Sequence, residues 1–500
     1  MHRVGSSFMG RKHRTQKEEK DMDRPKFSLI VRLHETEEKF FRDCLESIAS
    51  QTYEDWELYV LDHGRGSCER LVAEFFPSDD RVHFRQLKKE NALAYALNIG
   101  FHFVLTEAAR HGIGSGATAR RDAPWYVLIV DQHDRLGDHA LQTMSEKIQE
   151  YQKRNEGAAP SVVYFDHDEL VGVDRMSPHF KPDLNRELLL QQNYIGNSFA
   201  VSVDAIRKLG EVQEKLTSAA LYDYLLRAVD AELPFLHIPG LLYHKRVMVK
   251  TERKKEKKIQ QKNCREHMLA TQAFLKKQGI EAEVTAAANF AYWKVHYDGS
   301  GAFQFRTQKE YMFLHEKEVR PLTRHSVEKM YGYLRQKDVA VVGVRFLKGS
   351  FTVENCGYIF DSQGNTYPAF YDQKLYRSTY EYMGELAREV SMVDFGYCLI
   401  DAKIYRKLQG FDTELSGRDL MLDFCIRARE NGYRIIVDPS ILVRRLSGQA
   451  DSTESSRMRL LEKHGEQLLQ GDPMYNANLP CDLDNYKILS VGQEEGTSMV

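Results

Sequence analysis

Four short apolar runs in this chain end in acids or imidazoles, and helical periodicity fills the space between them. "SLIVRL" (Ser28–Leu33) runs into His34 and Glu35, and "WELYVLD" ends at Asp62 and His63. "WYVLIVD" leads into Asp131, Gln132, His133 and Asp134, and "SVVYFDHDEL" carries Asp166 and Asp168. Runs of this length, rich in β-branched and aromatic residues, read as buried strands. "KFFRDCLESIASQ" and "ENALAYALNIGFHFVLTEAA" read as helices. Strands alternating with helices predict an α/β sheet covered on both faces. In such sheets ligands bind beyond the carboxyl ends of the strands. Strand ends are exposed and polar in any protein, so one acid there says little. Four together point to a cleft.

Composition narrows the class. The chain is 42% hydrophobic and 28% charged, as a soluble globular protein of two or three domains would be. Its formal net charge of −2 gives no overall field toward nucleic acid or membrane. Cys44, Cys68, Cys264, Cys356, Cys398, Cys425 and Cys481 form no C-x-x-C pair, so neither a zinc site nor a disulfide framework is expected. That usage fits a reducing, cytoplasmic setting. No apolar run approaches the roughly 20 residues of a membrane span. The first 24 residues are polar and basic, without the apolar core of a secretory signal, and read as a disordered tail.

Residues 248–267, "MVKTERKKEKKIQQKNCREH", are strongly basic. They read as a solvated helix joining two domains. A contact with a phosphate-bearing partner or with lipid headgroups is the other reading. No recognition motif or aromatic–basic interleaving supports nucleic-acid binding.

The chain also contains a diverged copy of part of itself. "LYDYLLRAVDAELPFLHIPGLLYHK" (221–245) aligns without a gap with "MLDFCIRARENGYRIIVDPSILVRR" (421–445). Asp223 falls on Asp423, Arg227 on Arg427, Pro239 on Pro439 and His244 on Arg444. "WYVLIVDQHDRLGDHALQTM" has a counterpart in "EYMFLHEKEVRPLTRHSVEKM". Before the second copy there is no room for two further strands, so that copy is read as truncated.

These segments resemble the family 2 glycosyltransferases with the GT-A fold, in particular bacterial ones that build surface polysaccharides and O-antigens. "SLIVRLHETEEKFFRDCLESIASQTYEDWELYVLDHG", "HFKPDLNRELLLQQNYIGN" and "HIPGLLYHKR" carry the resemblance, in the family's order, from about Lys26 to Arg246. "GFDTEL" and "ENGYRIIVDP" resemble the end of a second such domain. The resemblance implies a Rossmann-like mixed sheet with flanking helices, plus a second partial GT-A-like unit. The implied organisation is a basic tail (1–24), a GT-A-like domain (25–247), a helical linker with short strands (248–300), a truncated and degenerate GT-A-like domain (301–447), and a helix with a frayed tail (448–500).

The implied chemistry is sugar transfer from a nucleotide sugar to an acceptor hydroxyl. The leaving diphosphate needs charge neutralisation by Mn²⁺ or Mg²⁺, and the hydroxyl needs a base. Carried over residue by residue, His34, Asp62 and Asn91 fall to the nucleotide. Asp131, His133, Asp134 and His244 fall to the metal. Asp166 and Asp168 are cleft acids. This chain departs from the family's pattern in its opening segment, where Arg32, His34 and Glu35 stand for a proline, a tyrosine and an asparagine, and at further positions. His63 replaces the second acid of D-D-G. His133 replaces the second acid of D-x-D, and imidazole suits Mn²⁺ better than Mg²⁺. Leu221 stands at the base position, with Asp223 the nearby acid, and Met421 stands at that position in the second copy. Loss of a base typically costs about 10²–10⁴-fold in rate.

Two functions follow from the resemblance. One is an active transferase that uses a UDP- or dTDP-sugar and a glycan or lipid-linked acceptor, in the cytoplasm or peripheral at the inner face of the membrane. The other is a catalytically impaired relative serving as a binding or scaffold subunit of a polysaccharide assembly complex.

Overall fold

In this computed structural model the described residues are 24–63, 68–87, 93–112, 123–248, 253–303, 309–446, 448 and 451–487. Asn91, the bulk of the N-terminal tail and the last residues of the chain lie outside them. The chain divides into two compact units. The first comprises 1–91, 95–163 and 198–211, and the second 92–94, 164–197 and 212–500.

The chain begins with β1 (Lys26–Leu33), α1 (Glu38–Ala49), β2 (Trp56–Asp62), α2 (Glu69–Phe75), β3 (Val82–Gln86), α3 (Leu93–Arg110) and β4 (Trp125–Asp131). Next come β5 (Arg135–Leu136), α4 (Ala140–Arg154), β6 (Val162–Val171), β7 (Asp174–His179), α5 (Arg186–Leu189), β8 (Ala200–Ser202), α6 (Val203–Leu209), α7 (Ala220–Asp230) and β9 (Phe235–Arg246). The 25-residue helix α8 (Arg253–Lys277) precedes β10 (Ala282–Ala286), β11 (Trp293–Tyr297), β12 (Tyr311–His315), β13 (Val319–Pro321), α9 (Ser326–Leu334) and β14 (Val339–Lys348). The remaining elements are β15 (Thr352–Asn355), β16 (Tyr358–Phe360), β17 (Thr366–Pro368), β18 (Arg388–Glu389), β19 (Tyr397–Asp401), α10 (Ala402–Lys407), α11 (Gly417–Glu430), β20 (Arg434–Arg445) and α12 (Glu454–Leu468).

In the first unit the strands run β3-β2-β1-β4-β8, parallel from β3 to β4, with β8 antiparallel. Parallel strands covered on both faces should be apolar throughout rather than alternating. Leu29, Ile30, Val31, Leu58, Val60, Val127 and Leu128 are accordingly all buried. Each such side chain contributes about 1.5–3 kcal/mol. Helix α1 adds Phe41, Cys44, Leu45 and Ile48 to the core. The register sets Leu33 opposite Asp62 and Arg32 opposite Asp131. The carboxyl ends of β2, β1 and β4 therefore finish level, and this aligns the candidate site.

In the second unit β6 pairs with β7 and neighbours β9. A further sheet runs β12-β19-β14-β20-β13, with β15 on β14 and β18 on β20. The internal repeat takes the same local form twice. Helix α7 leads into the 12-residue strand β9, and α11 into the 12-residue β20. Both helices carry the same i,i+4 ion pair, Arg227 Nε to Asp223 Oδ2 and Arg427 Nε to Asp423 Oδ2, each at 3.0 Å.

Helix caps fix the rest of the register. Ser202 caps α6 and Asp401 caps α10, each accepting from the first turn. Ser202 lies opposite Tyr126, and Asp401 opposite Tyr311. Counting along β4 and β12 from these equivalent tyrosines matches Asp131 with Glu316 and His133 with Glu318. By the same ladders Val162 matches Val341, so Asp166 corresponds to Arg345.

The second unit also buries a carboxyl. Tyr297 Oη donates to both Glu187 oxygens at 3.0 Å, and Arg434 Nη1 lies 3.7 Å away. Burial pushes the Glu187 pKa up from 4.5 to about 8, against the pull of Arg434 and Tyr297. A carboxyl with a raised folded pKa binds its proton more tightly when folded, so its contribution is lost as pH rises from 4.5 toward 8. Glu187→Gln keeps an acceptor for Tyr297. It should melt with the wild type at pH 5 and several degrees above it at pH 8.5. Parallel pH–melting curves for the two proteins would refute this.

Candidate active site

The level strand ends of the first unit bring His34, Asp62, Asp131, His133 and Asp134 to one edge of its sheet. Asp62 ends β2 and is buried, and its backbone oxygen accepts from Leu87 N at 2.8 Å. His34 begins the turn after β1, and Asp131 ends β4 with its side chain more than half exposed.

Gln132, a residue the sequence reading passed over, ties these ends together. Its Oε1 accepts from His34 N at 3.0 Å and from Thr36 Oγ1 at 2.6 Å. Its Nε2 donates to His34 O at 2.8 Å and lies 3.1 Å from His133 Nε2. The amide is buried, and its orientation follows from these partners.

His133 in turn holds Asp131. Its backbone N donates to Asp131 Oδ1 at 3.0 Å, and its Nδ1 meets the same oxygen at 2.9 Å. Partial desolvation at the strand end pushes the Asp131 pKa up, but the bonds to His133 and the His133 and Arg32 charges outweigh it, and the carboxyl sits below its ordinary value. The hydrogen bond to Asp131 raises the His133 pKa, against burial. The Gln132 amide acts in the opposite sense, since a donor aimed at Nε2 favours the neutral ring with its proton on Nδ1. In that state His133 orients the Asp131 carboxylate.

The remaining predicted residues lie in the second unit. Asp168 and His244 come together, Nδ1 to Oδ1 at 2.6 Å, with Arg175 Nε on the other carboxylate oxygen at 2.7 Å. Burial would raise the Asp168 pKa, but His244 and Arg175 hold it below the ordinary value. Asp166 belongs to a separate buried network. It accepts from Lys181 N at 2.9 Å and Asn476 Nδ2 at 2.8 Å, and His237 Nε2 lies 2.9 Å away. Lys181 Nζ donates to Phe165 O at 2.7 Å and Ile195 O at 2.8 Å. Burial brings the Lys181 pKa down to about 7, against Asp166. Lys181 lies in the "FKPD" segment, whereas Asn476 had no local signal. Leu221 is buried in the first turn of α7, and Asp223 is held by Arg227.

Among the described residues, no group of three or more His, Cys, Asp or Glu is arranged to hold a metal ion. The donor chemistry at Asp131 still fits Mn²⁺ or Mg²⁺ in a particular way. Such ions are commonly held by one or two carboxylates together with substrate phosphates rather than by an all-protein cage. An accessible carboxylate of lowered pKa, oriented by an imidazole, meets that requirement.

The family model described as "Glycosyl transferase family 2" matches residues 28–210. The "O-antigen biosynthesis protein RfbC" of Myxococcus xanthus is 28% identical over 284 residues, 56% of this chain and 20% of its own length. "Glycosyltransferase GlyA" of Streptococcus pneumoniae serotype 4 is 30% identical over 129 residues, 25% of this chain and 16% of its own length. The chain therefore spans about a fifth of these curated relatives. Among solved structures, S. aureus TarS 1–349 in complex with UDP-GlcNAc is 15% identical with a TM-score of 0.35, covering 50% of this chain and 71% of that one.

Proposed function

Residues 28–210 belong to glycosyl transferase family 2, and on that premise we propose that the chain transfers a sugar from a UDP- or dTDP-sugar to a glycan or lipid-linked acceptor in cell-surface polysaccharide synthesis. The observation that carries this reading is the level row of Asp62, His34 and Asp131 at the ends of β2, β1 and β4. A nucleotide laid along such an edge meets an acid for its base, an imidazole for stacking and a carboxylate for its diphosphate end.

Asp131 would hold the divalent ion, Mn²⁺ or Mg²⁺, and a bound ion supplies charge neutralisation for the leaving diphosphate. His133 keeps the carboxylate aimed, and Gln132 keeps the β1 turn against the β4 end. Asp134 stays a proposed ligand beside Asp131, His244 is the other metal candidate and pairs with Asp168 in its own unit, and Asp166 and Asp168 remain the proposed cleft acids.

Asp223 is the proposed proton acceptor. Burial raises its pKa despite Arg227, the direction a general base requires. The identical pair at Asp423 and Arg427 favours a structural role instead. Asp223→Asn decides between them: a base predicts a loss in kcat of about 10²-fold or more with the donor KM unchanged. A structural role predicts a lower melting temperature with kcat retained.

Assembly partners of that synthesis, and a place at the inner face of a membrane, belong to the same proposal. No helix among the described residues is long and apolar enough to cross a membrane. Incubation with Mn²⁺ and a panel of UDP- and dTDP-sugars should release nucleoside diphosphate. No turnover and no donor binding across the panel would overturn the function.

A further inference from the structure

Helix α8 carries only two acids, Glu256 and Glu266, among its many lysines and arginines. Glu266 is turned inward, accepting from Thr217 Oγ1 at 2.7 Å and Ser218 N at 2.8 Å. Cys264, Ala270, Thr271 and Leu275 are buried and anchor the helix to its unit. The opposite face holds Lys258, Lys262, Arg265, Leu269 and Lys276, all exposed. At 100° per residue these five fall within an arc of about 60°, and they span about 27 Å along the axis. Leu269 is 58% exposed within this stripe, and Ile259 is 57% exposed beside it.

We propose that this face of α8 docks the protein on an anionic lipid surface. A plane touches a helix along one narrow stripe, and here four cations share that stripe, Lys262 reaching from its edge toward Glu266 with Nζ 3.9 Å from Oε1. A basic face with an exposed leucine standing in it suits the boundary between headgroups and acyl chains. A purely solvated face would leave Leu269 in water without return. A nucleic-acid face would interleave aromatic side chains with its cations, and the stripe holds no aromatic side chain. The net charge of −2 requires the attraction to be local to this helix. A docked helix would hold the sugar-transfer domain near lipid-linked acceptors, but the docking stands independently of sugar transfer.

The test is sedimentation of the full chain with vesicles of phosphatidylglycerol and phosphatidylcholine, against vesicles of phosphatidylcholine alone. Binding should require the anionic lipid and weaken between 0.1 and 0.5 M NaCl, by the screening expected of surface charges, whose range is about 10 Å at 0.1 M. Lys262→Gln with Arg265→Gln should lower the partition coefficient about 25-fold, at roughly fivefold per cation. Leu269→Ser should weaken it with the salt dependence unchanged. These positions are exposed, so melting temperatures should stay near wild type. Equal binding to both vesicle types, no binding at low salt, or undiminished binding by the double variant overturns the proposal. So does tighter retention on heparin or RNA than on vesicles, which would assign the face to a polyanion. Nucleoside diphosphate release, assayed without vesicles, reports separately on the transferase reading.

Discussion

Asp131→Asn should reduce Mn²⁺-dependent release of nucleoside diphosphate by about 10²–10³-fold, the several kcal/mol that a positioned metal contributes to a leaving group. The amide keeps the shape of the side chain and an oxygen for the His133 backbone N–H, but it removes the charge. The position is well suited to a clean result. The side chain is more than half exposed, and the backbone of β4 is held by its register with β1. The fold should therefore survive, with a melting temperature within a few degrees of wild type. His133→Ala is the companion. If His133 orients Asp131 rather than substituting for it, its loss should cost about 10–100-fold, the range for partners that orient a ligating group. Equal losses in the two variants would make His133 itself a ligand. Asp131→Asn with wild-type turnover would remove the metal assignment altogether.

The edge of the site was legible because the residues that build it are local. An apolar run ending in a polar group states both a buried parallel strand and an exposed strand end, which is why His34, Asp62 and Asp131 could be named in advance. What ties them together was not legible. Gln132 reaches the His34 backbone across 98 residues of sequence, and nothing in "DQHD" says that its amide faces that turn. The partners of Asp166 were equally hidden: it joins a buried network with Asn476, 310 residues away. The Asp223–Arg227 pair lay open in its i,i+4 spacing, and the pair recurs at Asp423 and Arg427 as the repeat required. In "HEKE" the sequence alone leaves the counterparts of Asp131 and His133 open between His315 with Lys317 and Glu316 with Glu318, and the caps at Ser202 and Asp401 decide for the second pair.

That register leads to the largest expected effect on stability, at Arg445. The counterpart of Asp131 in the second unit is Glu316, and Arg445 sits on it. Arg445 Nη1 pairs with Glu316, Nη2 meets Asp394 Oδ1 at 2.6 Å, and Nε lies 3.3 Å from Glu354 Oε1. Its side chain is 2% exposed, and that of Asp394 is 0% exposed. The counterpart of Asp166 is Arg345, a cation where the first copy has an acid. A guanidinium thus holds carboxylates together beside the position that corresponds to the proposed metal ligand. Arg445→Met fills the volume but leaves the buried Asp394 carboxylate without its cation, which typically costs about 3–5 kcal/mol. The variant should melt roughly 10 °C lower, at about 2–4 °C per kcal/mol for a large domain. Arg445→Lys should recover only part of the loss, because one ammonium cannot fork among three acids. Added Mn²⁺ should raise the melting temperature of Arg445→Met more than that of wild type, since Glu316, Glu354 and Asp394 would then face a vacant cation position. A wild-type melting curve for Arg445→Met would show that the cluster contributes no stability. A large loss that Mn²⁺ leaves untouched would show that the carboxylates are spaced for a guanidinium alone.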